Sequence, residues 1–161
     1  MARHRLGTVI TFTGHHIDHT TTVSFVLSVV REAVLAAATF NSCKGRIFHD
    51  AHHIGIGASV RVIYPPNIYQ PRRRVSDFLY HSPPNIVWGE AIPKQCSKCF
   101  ALGGKEWKFR ASDTPSHRIL NTTVELQCVN PYCFFEWTFR NRGGEIVCHD
   151  GFSAWAEYVL E

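Results

Sequence analysis

Apolar positions along this chain recur in two rhythms, and the change from one to the other divides it. Leu6 to Thr13 is rich in β-branched residues and ends at Gly14, which predicts a buried strand followed by a turn. Val23, Val26, Leu27, Val30 and Val34 then recur at i, i+3, i+4 spacing behind the capping run Thr20 to Thr22, so residues 22–32 are expected to form an amphipathic helix. Ala33 to Phe40 either prolongs that helix or forms a fully buried strand, since its periodicity fits both. If it is a strand, Asn41 to Gly45 is the loop at its carboxyl end. His49-Asp50-Ala51-His52-His53 precedes Gly55 and Gly57 and is read as a loop. Ala58 to Tyr64 alternates as a strand and stops at Pro65-Pro66-Asn67. After Arg72-Arg73-Arg74, the positions Val75, Phe78 and Leu79 fall at helical spacing and predict a short helix, although basic charge in a first turn opposes the helix dipole.

Past Pro93 the rhythm becomes strict alternation. Lys105 to Arg110 and Thr123 to Cys128 read as half-buried strands, and Phe135, Trp137 and Phe139 share one face of a third. Arg142 to Glu145 turns the chain into Ile146 to Cys148. Phe152 to Leu160 is read as a closing helix with Phe152, Trp155, Tyr158 and Val159 inward. The expected architecture is α+β: a small mixed α/β part over residues 1–93, then an antiparallel β module over 94–161 with a C-terminal helix. A chain of 161 residues suits one modest domain plus a metal-stapled module.

Four of the six cysteines stand in two close pairs, Cys96-Ser-Lys-Cys99 and Cys128-Val-Asn-Pro-Tyr-Cys133, separated by 28 residues. Thiolates a few residues apart on a tight turn can face one tetrahedral ion, and two such turns supply four sulfurs. The arrangement resembles a zinc ribbon, with a longer second knuckle and a longer spacer than that family uses. The resemblance implies a bound Zn2+ held by Cys96, Cys99, Cys128 and Cys133; two disulfides or free thiols are the alternative. Cys148-His149 is a further pair that can replace one ligand.

Composition narrows the compartment. With 45% hydrophobic and 19% charged residues the balance is globular. The longest apolar run, Val23 to Phe40, is interrupted by Arg31 and Glu32, so no membrane span is expected. The opening Met-Ala-Arg-His-Arg-Leu lacks the apolar stretch and cleavage pattern of a secretory signal, which points to an intracellular setting, cytoplasm or nucleus, where thiolates stay available to metal. Residues 1–93 carry nine Lys or Arg against five acids, whereas residues 94–161 carry eight of each. The cysteine-bearing half is therefore neutral, and any grip on a phosphate backbone falls to Arg72, Arg73 and Arg74.

Two further constellations bear on function. Phe12-Thr13-Gly14-His15 and Phe40-Asn41-Ser42-Cys43-Lys44-Gly45 resemble the strand-end motifs of the caspase-like clan, which includes the metacaspases. That resemblance implies parallel neighbouring strands with His15 as base and Cys43 as nucleophile; the alternative is a structural Cys43 packed in the core. His15, His16, Asp18, His19, His49, Asp50, His52 and His53 include suitable ligands for a second metal centre. The function expected from the whole is a zinc-stabilised binding protein with a protein partner, with a cysteine peptidase or a nucleic-acid-binding zinc protein as the rival readings.

Overall fold

The computed structural model describes residues 7–14, 17–68, 70–82, 85–100, 107–109 and 123–160. Asp18 caps the first helix, α1 (His19–Val29), by accepting from the Thr20 amide at 3.0 Å, and Thr21 and Thr22 bond back to its carbonyl. The chain runs on through a π-helical turn, Val30–Leu35, so Ala33 and its neighbours prolong the helix. Thr39 then caps a second helix, α2 (Phe40–Asp50), so Asn41 to Gly45, a loop only if Ala33 to Phe40 were a strand, is helical, as is the start of the histidine run read as a loop. Its pattern is nonetheless in the sequence: Phe40, Cys43, Ile47 and Phe48 are the buried residues, at i, i+3, i+7 and i+8. Gly45 misleads because it sits inside the helix. A Cβ there would come within 3.3 Å of the Val147 carbonyl, so glycine lets α2 lie close on the strand below. A short 3-10 helix, His52–Ile56, follows.

The helices rest on a five-stranded sheet in the order β1-β2-β3-β10-β9, antiparallel at every pairing. Its strands are β1 (Val9–Thr13), β2 (Ser59–Tyr64), β3 (Arg74–His81), β9 (Glu145–His149) and β10 (Ala154–Leu160). A hairpin of β4 (Ile86–Val87) and β5 (Glu90–Ala91) and a three-stranded sheet of β6 (Trp107–Phe109), β7 (Thr123–Cys128) and β8 (Glu136–Arg140) complete the described elements.

Two expected helices are strands, each for a physical reason. In β3 the buried positions are Ser76, Phe78, Tyr80 and His81, a period of two hidden by the polar Ser76, which left only Val75, Phe78 and Leu79 to suggest a helix. In place of a C-terminal helix the chain forms β10, which lies between β3 and β9 and is covered on both faces. Such a strand shows no alternation of polar and apolar residues, so its period cannot be read. Phe152, expected inside, is 75% exposed just ahead of it.

The two sides of the sheet carry different cores. On one, Phe25, Phe40, Ile47 and Phe48 of the helices pack on Val60, Val62, Phe78, Tyr80 and Trp155, with the Phe48 ring stacked on Phe78 at 4.4 Å and 4.7 Å from Trp155. On the other, Ala156, Ile146 and Tyr158 meet Val87, Trp88 and the cysteine-bearing β-sheet. The first sheet and the second core therefore both take residues from either side of position 93, so that position does not divide the sheet.

Candidate metal centre

The first cysteine pair follows the β4–β5 hairpin. Cys96 to Cys99 forms a tight knuckle closed by the Phe100 amide donating to the Cys96 carbonyl at 2.9 Å, with Phe100 held at φ 59°. Gln95 braces it by donating from Nε2 to the Phe100 carbonyl at 2.8 Å. A left-handed turn costs a phenylalanine more than a glycine, so the strain is borne where the knuckle must turn its sulfurs inward. The second pair spans the β7–β8 connection. Its two extra residues are absorbed by a turn in which the Asn130 side chain accepts from the Tyr132 amide at 3.0 Å and its carbonyl accepts from the Cys133 amide at 2.9 Å.

These knuckles bring the four Sγ atoms within 4.8 Å of one another. The Cys96–Cys133 separation is 3.7 Å and the Cys99–Cys128 separation 3.6 Å. A tetrahedron of sulfurs about 2.3 Å from a central zinc has edges of about 3.8 Å, whereas a disulfide needs about 2.05 Å. The donor set and its spacing fit a zinc ion and do not fit two disulfides. Cys96, Cys128 and Cys133 are buried and Cys99 is partly open.

The thiols also show why a cation belongs there. Burial works against the Cys96 thiolate, but the amides of Cys99 and Lys98 and the neighbouring thiols outweigh it and bring the group down to about 7. Burial and the adjacent sulfurs push Cys128 up to about 12, and burial raises Cys133 as well. Four thiolates gathered this closely repel one another, and a bound cation would supply the compensating positive charge.

The other candidate residues are placed elsewhere. Cys148 packs partly buried against the helix-side core, across the sheet from the sulfur cluster, and burial pushes it up to about 11. It does not join the four cysteines, and His149 beside it is exposed. A cavity of about 360 Å³ gathers His49, Asp50 and His52 beside Cys148, His149 and Asp150. Asp50 is held there by Arg31, and Asp150 accepts from the Phe152 and Ser153 amides and the Ser153 hydroxyl. Among the described residues only the four cysteines bring three or more ligand atoms within coordinating reach. Arg72 and Arg73 are exposed beside an open cleft, while Arg74 is drawn inward to Glu157.

His15 and His16 lie outside the described residues. The parallel strands that the caspase-like resemblance implies are not formed: β1 pairs antiparallel with β2, and Cys43 sits inside α2, 1% exposed, donating to the Thr39 carbonyl at 3.2 Å. Burial raises its thiol pKa, which opposes thiolate formation. Iodoacetamide should therefore alkylate Cys43 in the folded protein more slowly than an exposed thiol, at a rate that His15→Ala does not change. Rapid alkylation at pH 7, slowed by His15→Ala, would restore the dyad.

Sequence reasoning passed over a set of exposed aromatics on the knuckles themselves. Phe100, Tyr132 and Phe134 are 69%, 91% and 78% exposed, each next to or one residue from a cysteine of the cluster. The signal was available, because Tyr132 lies inside a turn and Phe134 alternates out of phase with the inward Phe135, Trp137 and Phe139. No protein-family model, no curated protein and no solved structure matches this chain, so the cluster is assigned from its own geometry.

Proposed function

We propose that this chain is an intracellular zinc-stabilised binding protein whose cysteine-bearing part is a zinc ribbon-like module and whose partner is another protein. The observation that carries the reading is the closed set of four cysteine sulfurs. A zinc held by four thiolates has no position left for water or substrate, which is the mark of a structural site and not of a hydrolytic one. Zinc then supplies only cohesion: it fixes the two knuckles against each other and so fixes what they display. What they display is Phe100, Tyr132 and Phe134, apolar groups of a kind concentrated at interface centres. No helix among the described residues is long and apolar enough to cross a membrane. Nucleic-acid binding is the lesser reading, because Glu157 occupies Arg74 and leaves Arg72 and Arg73 as the exposed members of the basic run.

Cobalt substitution tests this directly. Co2+ in the site should give the absorption of a tetrahedral tetrathiolate, unchanged by azide or cyanide because no coordination position is open. A spectrum that shifts on adding either anion would show an open position and replace the binding reading with a catalytic one.

A further inference from the structure

The outward face of α1 reverses the pattern the sequence suggests. Val23, Val26, Leu27, Val30, Val34 and Leu35 are between 39% and 77% exposed, while Phe25 and the polar Ser28 are the buried residues of the helix. The heptad-like valines and leucine that predict a core face thus form a continuous apolar stripe on the surface, extended by the π-helical turn. A contiguous apolar stripe left facing water marks a contact surface, and the sheet covers only the side of the helix that carries Phe25 and Ser28. We propose that a second copy of this chain covers the other, pairing α1 with α1 about a two-fold axis.

Charge and area select that occupant. The charged residues at the end of the stripe are Arg31, Glu32, Arg46 and Asp50, and they pair among themselves: Arg31 with Glu32 and Asp50, Arg46 with Glu32 at 2.5 Å. Two cations and two anions leave no net charge to recruit an acidic or basic partner, and a two-fold copy meets no net repulsion. A lipid surface favours helices whose polar flank is rich in Lys and Arg. Residues 19–35 hold one such residue, Arg31, already bound to two carboxylates. Six side chains at these exposures offer several hundred Å² per copy, and doubling that approaches the lower end, about 1,200 Å², of stable interfaces. An interface of this size is expected to be reversible. The inference rests on the binding-protein reading only for the class of partner; the zinc site enters neither the stripe nor its test.

Sedimentation equilibrium of the 161-residue, zinc-loaded chain decides it, with zinc per chain measured on the same samples so that failure of the dimer and failure of the zinc reading are separate results. The wild type should show a concentration-dependent monomer–dimer equilibrium. Leu27→Glu and Val34→Glu should each weaken it at least about 100-fold, since a dimer would have to bury an unpaired carboxylate, while melting temperature and zinc content stay at wild-type values because both side chains are exposed in the monomer. Three outcomes overturn the proposal: a wild type that stays monomeric through the high micromolar range, a dimer indifferent to both substitutions, or co-sedimentation with phosphatidylcholine–phosphatidylserine vesicles that Leu27→Glu abolishes, which would assign the face to lipid.

Discussion

Replacing Cys96 or Cys128 by serine, or stripping the metal with a chelator, is expected to unfold the cysteine-bearing β-sheet and loosen the five-stranded sheet with it. The apparent binding free energy of a structural zinc is about 10–16 kcal/mol, and a domain of this size has about 5–15 kcal/mol of total stability, so under the proposed zinc reading the ion would decide whether the module folds. The effect should spread because the second core is continuous with the sheet: Ala156, Ile146 and Tyr158 pack on the same side as Cys96, Cys128 and Cys133. Hydrogen exchange should therefore quicken in β7 and β8 first and in β9 and β10 next, with α2 retaining the most protection. Cys99→Ser should cost less, since Cys99 is the ligand at the open edge. Affinity should fall as pH falls, because protons compete with zinc for the same sulfurs. A chain that keeps its native exchange pattern after complete zinc removal would defeat the assignment.

Glu157→Gln is expected to cost about 3–5 kcal/mol, as breaking a buried ion pair at one partner does. Its carboxylate is 1% exposed, and it joins three segments far apart in the sequence: Lys44 of α2, Arg74 of β3, the latter at 2.5 Å, and its own strand β10. The amide would keep the shape and lose the charge, stranding two partly buried cations. Burial opposes the Glu157 carboxylate, but Lys44 and Arg74 outweigh it and hold its pKa below the ordinary glutamate value. A depressed carboxylate stabilises the fold above the unfolded pKa of about 4.3, and that stability is lost as pH falls through the folded value. Thermal melts should show the wild type about 10–15 °C above Glu157→Gln at pH 7, with the gap closing in acid below pH 4. Asp77→Asn is the internal control, since the Arg61–Asp77 pair at 2.6 Å is partly solvated and should contribute about 1 kcal/mol or less. Equal losses from Glu157→Gln and Asp77→Asn would refute the special place given to Glu157.

Local chemistry decided what the sequence determined by itself. The four clustered cysteines were legible because a knuckle is made by residues a few positions apart, and the spacing alone points the sulfurs inward. The strands Thr123–Cys128 and Glu136–Arg140, and the inward set of Phe135, Trp137 and Phe139, were legible because each strand has one wet face, which writes alternation into the chain. Tertiary structure decided the rest, wherever a segment is covered on both sides or on the side its pattern does not predict. Strand β10 lost its period because the helices lie on one face and the cysteine-bearing β-sheet on the other. Ser76 interrupted the apolar rhythm of β3 because a long-range pairing, not hydrophobicity, buries it. The valines of α1 were assigned inward because amphipathicity says that one face is covered and not which neighbour covers it; Phe25 won the sheet side through its contacts with Phe12 and Phe48, at ring distances of 5.4 and 5.5 Å. The meeting of Lys44, Arg74 and Glu157 is long-range in the same sense, because a buried ion pair is specified by which strands become neighbours and leaves no mark in any window of sequence.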